Sequence, residues 1–429
     1  MSANENVARA FYTLLWYLAL PLLPLRLWWR GLREPGYRTR IGERFGRYGG
    51  DAPAPRGVIW IHAVSLGETR AAAPLIERIA RTHPDAKLLL THMTATGREA
   101  GHALYGDTVQ QAWLPYDIPF AIDAFLARFR PRAGLLMETE VWPNLVAACR
   151  DAGVPLFLVN ARLSEKSASG YRRVDALTRP MFGALAGVAA QTAGDAARLA
   201  DVGASEINIT GNLKFDVALP AESAALGREL RVRFGESRPV FLAASTREGE
   251  EALLLDAIAR RPLPSNTLTV IVPRHPQRFA AVADLLRTRG IPFARRSENL
   301  AVPSDIPFVL GDSMGEMGGY CAAADAAFVG GSLLPLGGQN LIEPIAMGTP
   351  TLVGMHTFNF QEATDNAIAA GAALRVADAD ALVMEVATLL NDPGRRNRMR
   401  DTALAFHAAH RGAADRLWAW LAPRLPPGD

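Results

Sequence analysis

Short apolar runs separated by helical patterns recur along the whole chain, and they fix the class of fold open to it. In the first half the runs are Val58–Val64, Lys87–Met93, Gly134–Met137, Pro155–Asn160, Gly187–Gln191 and Ile207–Thr210. In the second half they are Val240–Ala244, Leu268–Val272, Phe308–Leu310, Ala326–Val329, Thr351–Val353 and Ala373–Val376. Amphipathic stretches such as Thr69–Thr82, Trp142–Asp151, Glu248–Arg260 and Gln277–Thr288 lie between them. Strands this short and this apolar belong in parallel sheets covered by helices on both faces. At 429 residues the chain exceeds one ordinary core, so two α/β domains in tandem are predicted. Such sheets bind ligands outside the carboxyl ends of their strands, so the two domains are expected to face each other across a cleft.

The pattern breaks between Leu213 and Ser237, where Pro220 interrupts it and the sequence turns polar. That places an N-terminal domain at 36–215, a linker at 216–236 and a C-terminal domain at 237–400. One or two amphipathic helices carrying Trp418 and Trp420 close the chain at 401–429. Ahead of the domains, residues 10–25 carry no charge, and Arg26, Trp28, Trp29, Arg30 and Arg33 follow. The run is shorter than the ~20 residues of a comfortable membrane span, and Pro21 and Pro24 shorten its helix further. No Ala-x-Ala cleavage site follows it. Tryptophan with arginine suits the layer of anionic headgroups. Residues 1–35 are therefore expected to form an uncleaved anchor, either a short span or an in-plane segment. The arginines behind it place the body of the protein in the cytoplasm. A buried core helix is the alternative, and the Arg-Leu-Trp-Trp-Arg pattern argues against it.

Apolar residues make up 49% of the chain and the formal net charge is +3, as in an ordinary globular protein, and no nucleic-acid partner is expected. Lysine occurs only at Lys87, Lys166 and Lys214; every other strong base is arginine. Cys149 and Cys321 stand far apart in apolar surroundings and read as buried thiols. No His/Cys cluster has metal-ligand spacing, and Asp378-Ala-Asp380, at a helix start, reads as a cap.

The stretch Val329-Gly-Gly-Ser-Leu-Leu-Pro-Leu-Gly-Gly-Gln-Asn-Leu-Ile-Glu343 opens a strand through glycines toward a helix start at Asn340, with Glu343 spaced as in a capping box. Bare N–H groups at such a turn suit an anion, and glycine lets a phosphate approach the main chain. An acid one turn into the helix can accept from ribose hydroxyls, which points to a nucleotide-sugar. A plain capping box and plain turns are the other reading. No Lys or Arg occurs between Arg296 and Arg375, so any phosphate here needs backbone amides and a cation from elsewhere. Arg274, at the end of the run Thr267 to Val272, is the candidate.

Other residues collect at strand ends. Glu68, in Trp60-Ile-His-Ala-Val-Ser-Leu-Gly-Glu-Thr69, stands at a helix start and suits a general base toward an alcohol. The helix dipole is expected to lower its pKa, and dipole stabilisation alone is the bland alternative. Glu138, in Met137-Glu-Thr-Glu-Val-Trp-Pro-Asn144, closes another strand. Asn160 to Arg172 reads as a polar loop suited to an anionic or polyhydroxyl acceptor, or simply to solvent. Lys214, in Gly211-Asn-Leu-Lys-Phe-Asp216, could stabilise developing negative charge; its bland role is pairing with Asp216. Gly311-Asp-Ser-Met-Gly-Glu316 offers backbone amides and Glu316 to a nucleotide.

These motifs in this order resemble the 3-deoxy-D-manno-octulosonic acid (Kdo) transferases. The markers are Gly42-Glu-Arg-Phe-Gly46, Val64-Ser-Leu-Gly-Glu68, Leu114-Pro-Tyr-Asp117, Met137 to Asn144, Asn160-Ala-Arg-Leu-Ser164, Gly211 to Asp216, Val272-Pro-Arg-His-Pro276, Gly311 to Glu316 and Phe328-Val-Gly-Gly-Ser332. The resemblance implies a GT-B glycosyltransferase of two Rossmann-like domains. Its donor would be CMP-Kdo, bound by the C-terminal domain. Its acceptor would be lipid IVA, met at the cytoplasmic face of the inner membrane. It further implies Glu68 as general base, with Glu138 and Lys214 assisting at the transition state. Pro273, Arg274, Met314, Gly315, Glu316, Asn340, Leu341, Ile342 and Glu343 would hold CMP, with no metal and no further cofactor. Two rivals stay open: a GT-B enzyme using a UDP-sugar on a lipid acceptor, and a membrane-bound nucleotide-sugar binder without catalysis.

Overall fold

The computed structural model describes residues 3–49 and 57–427, so the outermost two residues at each end lie outside the described part. The chain divides into two units, one made of residues up to Val217 together with Arg411 onward, the other running from Ala218 to His410.

The first unit is built on seven strands: β1 (Ile59–His62), β2 (Leu88–His92), β3 (Gln110–Trp113), β4 (Ala133–Met137), β5 (Leu156–Ala161), β6 (Gly187–Ala190) and β7 (Ile207–Ile209). They pair in parallel in the order β3-β2-β1-β4-β5-β6-β7. Side chains alternate between two cores. Trp60, Leu89, Leu136 and Leu158 pack on one face, and Ile59, Leu90, Leu135 and Val159 on the other. Burial on both faces is why these strands read as continuous apolar runs. The closing segment splits between the units. Helix Pro393–His410 ends in the second, whereas helix Ala413–Leu421 returns to pack Leu417, Trp418 and Leu421 into a core of the first.

The second unit is likewise built on seven strands, β8 (Val240–Thr246), β9 (Leu268–Pro273), β10 (Phe293–Arg295), β11 (Phe308–Leu310), β12 (Ala326–Val329), β13 (Thr351–Val353) and β14 (Ala373–Arg375). Their order is β10-β11-β9-β8-β12-β13-β14, again parallel throughout. Two strands, β3 and β10, are not among the predicted runs. Both lie at sheet edges, where one neighbour suffices and the sequences Gln-Gln-Ala-Trp and Phe-Ala-Arg need no continuous apolar character.

The N-terminal segment forms two helices, Ala3–Ala19 and Leu22–Arg33, bent by 59° at the break between them. Pro21 brings no N–H to that break. No single described helix is long and apolar enough to cross a membrane, so the anchor expected over 10–25 is not one straight span. One face of the pair is docked: Leu23 and Leu27 pack with Tyr37, Tyr116, Ile118 and Ala121, with Trp16 and Leu20 alongside. On the other face Phe11, Leu14, Leu18, Leu22, Leu25 and Trp29 are exposed.

Candidate active site

In the first sheet the strand order turns back between β1 and β4, and a crevice outside the carboxyl ends opens at such a switch point. The two candidate acids flank that point. Ser65 caps helix Leu66–Thr82, which follows β1 and carries Glu68 in its first turn. The Glu68 carboxylate folds back on the turn: Oε2 accepts from the Val64 N–H at 2.9 Å and Oε1 from the Ser65 hydroxyl at 2.7 Å. This is a variant of a capping box, so the bland structural role is real. Glu68 is nevertheless not held ionised by the helix dipole, as its position suggested. Burial first, and the nearby Glu138 charge second, push it up to about 7, with the Ser65 and Val64 hydrogen bonds acting against them. Desolvation of the charged form outweighs those two hydrogen bonds here.

Glu138 follows β4 directly, in a left-handed conformation with φ 58°. Its buried carboxylate lies between two cations: Lys214 Nζ is 2.7 Å from Oε1 and Arg162 Nε is 2.7 Å from Oε2. Burial alone would raise its pKa; Lys214 and Arg162 overcome this and hold it low. Lys214 sits on the short turn Leu213–Phe215, where the Asn212 side chain accepts from its N–H and Asn160 Oδ1 accepts from the Leu213 N–H, both at 3.0 Å. The expected partner Asp216 is engaged elsewhere. It accepts from the Gly412 and Ala414 N–H groups at 2.6 Å each, capping the returning helix Ala413–Leu421. Glu140 accepts from Trp142 Nε1 at 3.2 Å, and burial raises its pKa.

Sequence reasoning gave Arg162 and Asn160 no individual role, although both stand at the carboxyl end of β5. The loop expected over 160–172 is partly the helix Glu165–Arg172, capped by Ser164, and Arg172 is spent on Glu165 and Asp201.

In the second sheet the switch lies between β8 and β12. The glycine turn after β12 does not present bare amides. The N–H groups of Gly331, Ser332 and Leu333 all donate to the buried carboxylate of Glu250, at 2.6, 3.0 and 3.0 Å. An internal carboxylate thus takes the place the sequence assigned to a phosphate. The second pair, Gly337 and Gly338, is left-handed, with φ 92° and 74°. It folds the chain back, so that Gly338 and Gln339 donate to the Gly331 and Gly330 carbonyls. Asn340 Oδ1 accepts from the Ile342 N–H at 3.1 Å and its Nδ2 donates to Glu343 Oε1 at 3.2 Å, ahead of the five-residue helix Ile342–Ala346. The side chains of Leu341 and Ile342 are buried, which leaves their main chain as the only contact they offer.

Pro273 ends β9, and Arg274 beyond it donates through Nε to Gln339 Oε1 at 2.9 Å. Arg274 and the Asn340–Glu343 group are thereby brought side by side. The Met314-Gly315-Glu316 group follows β11 separately. Glu316 accepts from Arg296 at 2.9 Å and from Ser313, Gly315 is left-handed with φ 80°, and Met314 is exposed. Arg296 is a cation that the sequence reading used only as a boundary. Among the described residues no group of three or more His, Cys, Asp or Glu is arranged to hold a metal ion. Asp378 accepts from the Ala381 N–H as a helix cap, and both cysteines are free and buried.

Residues 39–217 match the family model described as 3-deoxy-D-manno-octulosonic-acid transferase (kdotransferase). A 3-deoxy-D-manno-octulosonic acid transferase of Bordetella pertussis is 48% identical over 97% of this chain and all of its own length. One of Haemophilus influenzae is 38% identical over 97% of this chain and 99% of its own. Among solved structures, a glycosyltransferase from Rickettsia africae superposes with a TM-score of 0.56 over 86% of this chain and 98% of its own; at 13% identity that likeness speaks for the fold alone. With two relatives alike over almost their whole length, the chain belongs to the Kdo transferase family, a family of glycosyltransferase enzymes.

Proposed function

We propose that this enzyme transfers Kdo from CMP-Kdo to lipid IVA in lipopolysaccharide biosynthesis, with inversion at the anomeric carbon and Glu68 as general base. The two units are read as the halves of a GT-B glycosyltransferase, the acceptor on the first and the donor on the second. The observation that carries the reading is Glu68 itself: a carboxylate just beyond the end of β1 at the switch point, pushed up to about 7, with a charge-paired acid nearby. A base matched to neutral pH is what removal of an alcohol proton requires.

In the proposed step Glu68 takes the proton of a glucosamine 6′-hydroxyl as its oxygen attacks the anomeric carbon. The bond from that carbon to the CMP phosphate breaks, and CMP leaves with the electron pair. Glu138 pins Lys214 where a cation can offset the developing negative charge. On the donor side Arg274, the main chain from Pro273, and the Asn340–Glu343 and Met314–Glu316 groups supply cation, amides and carboxylates for phosphate and ribose. A single phosphate is served by such groups without a metal clamp, and the reading invokes no metal and no further cofactor.

The exposed apolar face of the two N-terminal helices supports an in-plane seat on the inner membrane, at its cytoplasmic face. There the enzyme meets an acceptor that cannot leave the bilayer. The test is to incubate the full chain with CMP-Kdo and lipid IVA and to weigh the product. A mass gain of one or more Kdo units supports the reading and counts the additions. Folded protein that leaves lipid IVA unchanged, or that uses a UDP-sugar instead, overturns it.

A further inference from the structure

The helix Ala3–Ala19 has two faces. Phe11, Leu14, Leu15 and Leu18 point to solvent, whereas Tyr12, Thr13 and Trp16 turn toward the first unit. The inward residues do more than fill space. The Tyr12 hydroxyl hydrogen-bonds Asp117 and in turn receives a hydrogen bond from Trp16, whose ring packs on Tyr116 with centroids 5.8 Å apart. Thr13 Oγ1 lies 2.9 Å from Asn144 Oδ1.

Both contacts reach the start of helix Pro143–Asp151, Asn144 as part of it and Asp117 through hydrogen bonds to it. Asp117 is buried, and its two carboxylate oxygens accept from the N–H groups of Asn144 and Leu145 at 3.0 and 2.8 Å. Asn144 Nδ2 donates to the Asp117 carbonyl at 2.9 Å. The helix has no cap of its own, since Trp142 at its N-cap makes no side-chain hydrogen bond there. Asp117, from a different loop, serves as its cap.

The segment between β4 and this helix is five residues long, Glu138 to Trp142, and holds the left-handed Glu138. One end is fixed by the sheet and the other by the Asp117 cap. Trp142 also packs edge-on to the buried His62 of β1, centroids 5.6 Å apart. So short a strained segment has its geometry set by its two ends.

We propose that Tyr12 and Thr13 are positioning residues for catalysis: the N-terminal helix is a structural part of the Glu138 loop and not a detachable tether. Through Asp117 and Asn144 they fix the helix start that sets where Glu138, and with it Lys214, stands. The inference rests on the proposed role of Glu138 and Lys214 in transfer. It separates two duties of one helix. Its outer face seats on the bilayer, and its inner face holds the site in register. A displacement of about an ångström at a catalytic group costs up to a hundredfold in rate.

The test compares full-length wild type with Tyr12→Phe, Thr13→Val and Thr13→Ser, using CMP-Kdo and detergent-dispersed lipid IVA. Melting temperature and flotation with anionic vesicles are read alongside. The expected result is a kcat lowered about tenfold in Tyr12→Phe and Thr13→Val, with acceptor KM and flotation within twofold of wild type. Thr13→Ser, which keeps the hydroxyl, should restore kcat. Unchanged kcat in folded Tyr12→Phe and Thr13→Val would overturn the proposal. So would a loss that appears only in KM or only in vesicle binding. Failure of the wild type to transfer Kdo at all would instead strike the proposed function.

Discussion

Two carboxylates a short distance apart are driven in opposite directions by their surroundings. Glu68 is pushed up to about 7 by burial and by Glu138, while Glu138 is held low by Lys214 and Arg162. Only ionised Glu68 can accept a proton, so kcat/KM should climb as pH rises through about 7 and level off above it. Glu138→Gln removes a charge that raises Glu68, so this limb should move to lower pH. Burial, the larger cause, should still keep it above the ordinary carboxylate range. Matched pH–rate profiles check this, and a limb that stays put would contradict the coupling. The sign for stability is opposite. Folded Glu68 keeps a proton that the unfolded chain has lost between about pH 4.5 and 7, so its contribution to stability falls as pH rises through that window. Lys214→Met should cost about 3 kcal/mol in denaturant titration, because it leaves Glu138 buried with one partner fewer. A variant as stable as wild type would mean that Glu138 has relaxed to solvent.

At the scale of elements, the turn after β12 depends on a helix some eighty residues earlier in the chain. Glu250→Ala would unpair the Gly331, Ser332 and Leu333 amides and should destabilise the second unit by about 4 kcal/mol, read as a lowered urea midpoint. Glu250→Gln, which keeps one acceptor oxygen, should fall between. Asp216→Asn should loosen helix Ala413–Leu421 and speed its amide exchange without melting the sheet, since it weakens a charged cap. Sequence patterning revealed the buried strands because burial on both faces leaves a continuous apolar signature. It passed over β3 and β10, whose edge positions leave none. Glu68, Glu138 and Lys214 were legible as separate strand-end motifs, but their pairing was not. Sequence offers only chain distance, which favoured Asp216 for Lys214, whereas folding brings in Glu138 from the end of β4. The Glu250 carboxylate in the glycine turn was invisible for the same reason.

For the molecule as a whole, two seven-stranded parallel sheets carry their candidate residues at strand carboxyl ends on either side of a switch point. The two N-terminal helices add an apolar face that no domain core needs. If that face seats on a bilayer, replacing Trp28 and Trp29 together by Ala should weaken partition onto anionic vesicles by about tenfold, measured by flotation. Undiminished flotation would place the contact elsewhere. The most direct test of the central claim is a single-turnover experiment at pH 8 with lipid IVA and saturating CMP-Kdo, comparing wild type with Glu68→Gln. The account predicts that the variant folds and binds CMP-Kdo as wild type does, while Kdo transfer slows by at least about a hundredfold. Transfer at the wild-type rate in Glu68→Gln would remove Glu68 from the chemistry and leave it as a helix cap.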